Sequence, residues 1–397
     1  MKPRIAPLFA ASLLAVAGTA SSAEIDVMTQ NQYLGTDLTP VITSPPELIS
    51  ERVIAALENV AASLPSERLA RLSQLISQRS PHAVVLNEAF AYSCTDFEGT
   101  PATEGCGNQR IKGAFVDFLA TTQANLGSRY VTKARVRNFA IAGLPFEIDG
   151  YWALLSVEDR DAILVRSDVA PYAAHVPLNM NPDCRESLEG CNYQAVPTLP
   201  TALGPITIER GYLAVDMVVD GAPYRVFGTH LEVRQIIPGT DPLAQLTRTF
   251  QRMQAAELQQ VAALFPVFVP GTKKFIVGDI NSAASDGTTP IDTFLGPLPP
   301  PYAIFAGSGY TDVWTLRPGT ATGKGAPLVG NSCCQAEDLA NHKSELYERI
   351  DIVFAAAKPK KVLDARLLGE AVADKTAPRG WGVWPSDHAS VAARMQY

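Results

Sequence analysis

The chain has 397 residues, of which 47% are hydrophobic and 18% charged, a globular balance that excludes a disordered or fibrous protein. Forty acidic against 33 basic residues give a formal charge of −7, which argues against a polybasic grip on nucleic acid. It does not exclude a nuclease, since a degrading enzyme needs only transient contact with its polymer.

Lys2 and Arg4 precede an apolar run from Ala6 to Ala20 that is short for a membrane span, and Ser21 and Ala23 offer small residues for cleavage. Residues 1–23 therefore read as a secretory signal peptide and residues 24–397 as one mature domain, secreted or periplasmic. No other stretch is long and apolar enough to be a membrane helix, so no transmembrane segment is expected after signal removal. Export permits disulfides. Short polar loops favour Cys94 with Cys106 and Cys184 with Cys191. The adjacent Cys333 and Cys334 either bond to each other or reach other loops.

From the N-terminus, Glu24–Thr29 reads as a first strand, followed by helices at Glu47–Ala62 and Glu67–Gln78; in the second, Leu69, Leu72, Leu75 and Ile76 recur on one face. Ala83–Leu86 is a buried strand and Lys112–Leu126 reads as a helix. Ala162–Val165 is a short apolar strand. Leu213–Val219 and Tyr224–Thr229 flank Asp220–Gly221, a hairpin signal. Leu243–Leu264 is a long helix, Phe275–Val277 a strand, and Ile350–Phe354 and Ser390–Met395 are late strands. The Pro-rich stretches Gly296–Pro301 and Thr315–Gly330 read as loops.

A polar residue sits beside the end of one apolar strand after another: Asn31, Glu88, His230, Asp279 with Asn281, Asp351, and Asp387 with His388. Ends of core strands are where a rigid scaffold presents chemistry. Oxygen ligands suit a hard cation such as Mg²⁺, Mn²⁺ or Ca²⁺, and histidines exchange protons near neutral pH. These are the parts for metal-assisted attack of water on phosphorus.

In order, Thr29-Gln30-Asn31, Leu86-Asn87-Glu88, Gly228-Thr229-His230, Gly278-Asp279-Ile280-Asn281, Arg349-Ile350-Asp351 and Ser386-Asp387-His388 resemble the signature of the endonuclease/exonuclease/phosphatase superfamily, the group of DNase I-like nucleases and neutral sphingomyelinases. The resemblance spans nearly the whole mature chain. It implies a four-layer α/β (α+β) sandwich, two mixed β-sheets packed face to face with helices outside. It also implies a metal held by Glu88 with Asn31 and Asp387, most simply Mg²⁺. Asp279 and Asn281 would position water or phosphate, and His388 oriented by Asp351 would be a base or a stabiliser. His230 would bind phosphate or protonate the leaving oxygen. Asp312, in Tyr310-Thr311-Asp312-Val313-Trp314, is either loop-fixing or catalytic.

The expected activity is metal-dependent phosphodiester hydrolysis, with nucleic acid or phospholipid as substrate partner; protein partners are not legible. The alternative is an inactive binding or toxin-like module on the same fold. No Gly-x-Ser-x-Gly elbow and no His-Glu-x-x-His are present, and Gly319–Lys324 is one residue short of a P-loop. Pro177–Thr201 and Gly319–Lys343 read as insertions that set substrate choice.

Overall fold

The computed structural model describes residues 23–178, 189–201, 204–234, 242–318, 330–377 and 382–397. The expected signal peptide, apart from Ala23, and Cys184 lie outside the described residues, as do much of the two expected insertions.

The chain opens with strands β1 (Glu24–Asn31), β2 (Ala83–Asn87), β3 (Ala91–Asp96), β4 (Tyr130–Ile148) and β5 (Tyr151–Arg166). Then come β6 (Ala173–His175), β7 (Gly190–Asn192), β8 (Thr198–Thr201), β9 (Gly204–Thr207), β10 (Gly211–Val219), β11 (Ala222–His230) and β12 (Lys273–Asp279). The last are β13 (Ile291–Thr293), β14 (Gly296–Leu298), β15 (Thr311–Asp312), β16 (Asp351–Ala355), β17 (Lys361–Leu368) and β18 (Ser390–Gln396). The helices are α1 (Thr39–Ile42), α2 (Ile49–Ala62), α3 (Pro65–Arg79), α4 (Phe118–Leu126), α5 (Pro242–Leu264) and α6 (Pro301–Gly307).

Two mixed sheets result. One runs β17-β18-β1-β2-β5-β3 with β4 on β5; the other runs β15-β16-β12-β11-β10-β6 with β7 on β10. β1 pairs parallel with β2, and β11 parallel with β12, while the other pairings within these sheets are antiparallel. Side chains alternate along each strand, so one parity faces the other sheet. Val27, Val85, Ile163, Val215, Val277 and Val353 meet there in a single apolar core. The opposite parity faces helices: Met28, Val84 and Leu86 pack against Ile76 of α3 and Leu119 of α4. On the far side, Phe227, Ile276 and Phe354 pack against Leu258 of α5 and Phe305 of α6. Each such fully buried side chain contributes about 1.5–3 kcal/mol relative to exposure. The expected four-layer sandwich is the observed architecture.

Most elements fall close to where the periodicity puts them, with several differences in extent. The helix expected over Lys112–Leu126 begins only at Phe118. The Asp117 carboxylate accepts the Ala120 N–H at 2.9 Å and so caps the helix there, while Lys112–Ala114 forms a separate single turn. Ala162–Val165 proves to be the end of a long β4–β5 hairpin. Bulges between Thr132/Ala134, Arg137/Phe139 and Ile141/Leu144 break the two-residue period that would have revealed it. The stretch expected as a loop at Gly296–Pro301 holds β14, paired with β13, and the first residue of α6. Strands β1 and β12 each run two residues further than expected at their C-terminal ends, so Asn31 and Asp279 are the last residues of their strands rather than residues beyond them.

Cys94 and Cys106 form the expected disulfide. Cys333 and Cys334 are bonded to each other. Cys191 is disulfide-bonded, its expected partner Cys184 lying outside the described residues. No helix among the described residues is long and apolar enough to cross a membrane.

Candidate active site

The inward parity that makes the inter-sheet core apolar turns polar at one end of both sheets. Continuing Val27 by two-residue steps reaches Asn31; continuing Val85 reaches Asn87. In the facing sheet Val226 leads to His230, Val277 to Asp279, and Val353 back to Asp351. The pairing registers put these ends at one level: Asn31 opposite Asn87, His230 opposite Asp279, and Asp279 opposite Asp351. Position, not merely residue type, therefore gathers them.

Hydrogen bonds then cross between the sheets. Asn31 Nδ2 donates to Glu88 Oε1 at 3.0 Å and to Asp279 Oδ2 at 3.2 Å. Asn87 Nδ2 donates to Asp161 Oδ1 at 2.9 Å and to the Thr229 carbonyl, and its Oδ1 accepts the Asp279 N–H at 3.0 Å. The second oxygen of Glu88 accepts the Leu34 N–H at 2.8 Å. Asp279 Oδ1 accepts the N–H of Asn281, whose own carboxamide donates to the Leu231 carbonyl. Three non-glycine residues here, Tyr33, Glu88 and Asn281, hold left-handed φ values of 60°, 53° and 49°. Such strain is tolerated where surrounding bonds over-determine the conformation. Gly278 (φ +148°) lies so close to β11 that a Cβ would meet the Thr229 carbonyl oxygen at 1.9 Å, so only glycine fits between the two strands.

The two histidines are held differently. His388 Nδ1 lies 2.8 Å from Asp351 Oδ2, so the ring donates there and Nε2 faces the cleft, 3.9 Å from Asp279 and 4.0 Å from Asp387. Burial opposes a charge on this ring, but Asp351, then Asp387 and Asp279, outweigh it and hold its pKa well above the ordinary histidine value. His230 Nδ1 lies 3.0 Å from Arg210 Nη1. A guanidinium can only donate, so Nδ1 accepts and the ring proton sits on Nε2, 3.6 Å from Asp279 Oδ2. Burial, then Arg210 and His388, hold the His230 pKa well below its usual value. These surroundings favour the neutral form of His230 and the protonated form of His388.

The carboxylates crowd one another. Burial, then Asp351, pushes Asp279 up to about 7; burial also raises Asp387, helped by the charge of Glu88. Asp351 Oδ1 is buried with no hydrogen-bond partner among the described residues. The tight grouping at the centre is Asp279, Asp351 and His388, whose ligating atoms lie within 4.8 Å of one another; Glu88 is joined to Asp279 through Asn31, and Asp387 lies 4.0 Å from His388 Nε2. An under-neutralised set of hard oxygen donors with one orphaned acceptor fits a divalent cation.

Further charged groups adjoin these side chains. Arg210 lies 3.5 Å from Asp159 and 3.7 Å from Glu232, and Asn138 donates to Asp161 at 2.9 Å. Asp159 and Asp161 continue the inward parity of Ile163 and Val165, which is the signal that could have found them. In isolation Glu158-Asp159-Arg160-Asp161 reads as a solvated charge run. Residues 330–343, part of an expected insertion, form one wall: Gln335 N–H donates to the Asp387 carbonyl, Cys333 bridges to His388 by backbone pairing, and Cys334 Sγ lies 4.0 Å from His388 Nε2. Asp312 fixes its loop, accepting from Trp314 N–H and the Tyr302 hydroxyl and pairing with Arg349 at 2.7 Å.

No family model matches the chain, and no curated protein does. Solved structures do. One of a humanized D. rerio TDP2 shares 14% identity, covering 95% of this chain and 100% of that one with a TM-score of 0.44. An endonuclease/exonuclease/phosphatase from Beutenbergia cavernae shares 17%, covering 94% and 72% with a TM-score of 0.45. A family protein from Bacteroides thetaiotaomicron shares 13%, covering 95% and 98% with a TM-score of 0.46. In its motifs, and among these solved structures, the chain is similar to the endonuclease/exonuclease/phosphatase family.

Proposed function

We propose that this chain is a divalent-cation-dependent phosphodiesterase that directs water onto phosphorus. The observation that carries the reading is the convergence, at one end of both sheets, of Asn31, Glu88, Asp279, Asp351 with His388, and His230 with Arg210.

Glu88, with Asn31 and Asp387, is the set that would hold the cation, and Mg²⁺ is the simplest candidate for oxygen donors. When bound, it would supply positive charge to a phosphoryl oxygen and favour ionisation of water. The chain's own residues divide the remaining work. Arg210 and the Nε2–H of His230 are donors suited to non-bridging phosphate oxygens, the guanidinium as a fixed charge and the imidazole as a neutral donor. Asp279 and Asn281, locked by their mutual hydrogen bond, orient the attacking water. His388, fixed by Asp351, holds a proton at Nε2, where it can stabilise or protonate an oxygen in the cleft. This assigns His230 away from the base role, since its free nitrogen is already protonated and its other nitrogen is occupied by Arg210.

We also read the protein as exported, on its basic, apolar N-terminal run; the Cys94–Cys106 disulfide supports an oxidising compartment. The test of function is hydrolysis of bis(p-nitrophenyl) phosphate with Mg²⁺, Mn²⁺ or Ca²⁺ against a chelator control. Glu88→Gln should fold normally and lose most of the cation-dependent rate. Wild-type turnover indifferent to chelation would overturn the reading, and complete inactivity across a panel of DNA, RNA, sphingomyelin and phosphatidylcholine would favour an inactive binding module.

A further inference from the structure

Cys333 and Cys334 are bonded to each other in the wall of the cleft, and the chemistry above does not use them. A disulfide stabilises a fold chiefly by closing a loop of chain. Cys94–Cys106 does so, joining residues 12 apart in sequence, whereas a bond between neighbours closes no loop. Nor does the segment need the bond to stay in place. The Ser332 and Cys333 N–H groups donate to the Glu348 carbonyl at 2.7 and 3.0 Å, and the Cys333 carbonyl accepts from Tyr347 and Glu348. The Ala389 N–H donates to the Ser332 carbonyl and the Gln335 N–H to the Asp387 carbonyl, each at 2.8 Å. The backbone thus holds both sulfurs beside His388 without help from the bond between them.

We propose that this pair is a redox-gated site for a thiophilic cation: once reduced, its two thiolates and Nε2 of His388 bind one Zn²⁺, and hydrolysis stops. The ligating atoms of Cys333, Cys334 and His388 lie within 4.8 Å of one another, with Cys334 Sγ 4.0 Å from Nε2. Zinc bonds of about 2.3 Å to sulfur and 2.0 Å to nitrogen at tetrahedral angles set such atoms roughly 3.5–3.8 Å apart, so small side-chain rotations complete the set. Asp279 Oδ2 and Asp387 Oδ1, 3.9 and 4.0 Å from Nε2, are oxygen donors within reach of the fourth position. Cys333 is buried but Cys334 is only half-buried, which gives a small dithiol access to the bond. One thiolate of the dithiol attacks Cys334 Sγ, the bond to Cys333 breaks, and the second thiol resolves the mixed disulfide. The two electrons come from the dithiol, which leaves as a disulfide, and both cysteines end as thiols. Zinc then displaces the two thiol protons and the Nε2 proton to solvent. The loss at Nε2 takes away the proton that His388 holds in the cleft. The zinc site stands by itself, while its inhibitory effect rests on the phosphodiesterase reading. With the chain exported as read above, the gate silences it in a reducing compartment and releases it where disulfides form.

The experiment compares the full chain oxidised and after reduction with dithiothreitol, which is then removed by gel filtration under nitrogen. Zn²⁺ is titrated into each in saturating Mg²⁺ against an indicator dye, with Co²⁺ as a spectroscopic stand-in. The reduced chain should bind one more equivalent of Zn²⁺ than the oxidised chain, and Co²⁺ should give a thiolate-to-cobalt charge-transfer band only after reduction. That equivalent should lower hydrolysis of bis(p-nitrophenyl) phosphate by about 100-fold or more, the scale of losing a positioned acid–base group. Cys333→Ser combined with Cys334→Ser leaves every other cysteine in place, so it shares any effect of reduction elsewhere; it should lose the extra equivalent and the band. His388→Ala should keep the band but bind Zn²⁺ about tenfold more weakly, one ligand being gone. Equal zinc binding in the two states of the wild type, or an extra equivalent that survives the double substitution, overturns the site. Zinc affinity unchanged by His388→Ala, or zinc bound with hydrolysis intact, overturns the gate. Zinc bound as expected by a chain that hydrolyses no ester in either state sinks the phosphodiesterase and leaves the site.

Discussion

At the scale of single residues, the two histidines make different predictions. A carboxylate bonded to Nδ1 of His388 fixes its tautomer and raises its basicity. His388→Ala should lower kcat by ~10²–10⁴-fold, the usual contribution of a positioned acid–base group. Asp351→Asn should cost less alone and little more once His388 is gone, because residues acting as one unit are non-additive. A double-mutant cycle on kcat with a soluble phosphodiester decides it: losses that simply multiply would mean the two work independently. For His230 the check is spectroscopic. With Arg210 donating to Nδ1, the ¹⁵N shift of that nitrogen should report an unprotonated acceptor from pH 6 to 9, and a protonated Nδ1 would refute the tautomer assigned to it. The eight site residues were legible because each sits beside a short apolar run whose end is visible in the sequence. Arg210, Asp159, Asp161 and Asn138 were not, because their partners lie on other segments and each has a charged neighbour in sequence. Likewise nothing in the sequence says which imidazole nitrogen a distant guanidinium will occupy.

At the scale of elements, a buried arginine holds two site-bearing segments together. Arg68, in the first turn of α3 and fully buried, donates to the carbonyls of Ser63 and Gln32 at 2.9 Å, of Pro385 at 3.1 Å and of Tyr33 at 3.3 Å. It thereby ties the end of β1, with Asn31, to the loop that carries Asp387. Burial lowers its pKa only to about 10, so it stays charged at neutral pH. Arg68→Met keeps much of the bulk but leaves carbonyls without donors, and should cost about 3 kcal/mol in urea unfolding. It should also lower turnover in the fraction still folded, because the two site-bearing segments lose their common anchor. A variant destabilised with full specific activity would mean the clamp is structural only. The helix itself was plain from Leu69, Leu72, Leu75 and Ile76, all buried as the period requires. The role of Arg68 was invisible, because an arginine in the first turn of an amphipathic helix ordinarily faces water. The same limit explains the misplaced start of α4: Asp117 acts as a cap, yet it also pairs with Arg160 across the sheet, and only the fold brings that partner near.

At the scale of the whole molecule, the sandwich sets one inter-sheet interface to two uses, apolar along most of its length and ionisable at one end. The layering could be anticipated, because the ordered motifs resemble those of a family with that architecture. The strand order could not, since β1 finds its antiparallel partner in β18 at the other end of the chain, and no local pattern encodes that pairing. Concentrating carboxylates at the mouth of a core has a thermodynamic signature. Asp159, buried and beside Asp161, is pushed up to about 8, from an ordinary value of 3.8; Asp161 is raised for the same first reason, burial. In the unfolded chain both lose their protons in the ordinary aspartate range. Between that range and the raised values the folded state binds more protons than the unfolded one, so stability falls as pH rises from about 4 towards 8. The sign is opposite to that of a salt-bridged aspartate, whose stabilisation is lost as pH falls. Thermal unfolding in chelator-treated buffer should therefore show Tm declining from pH 5.5 to 8. Asp159→Asn removes one titrating group while keeping the shape and a hydrogen-bonding side chain, so its Tm should decline less steeply over the same window. If the variant's slope matches the wild type's, the buried pair is not the source of the pH dependence, and the proton it shares in the folded state must reside elsewhere in the cleft.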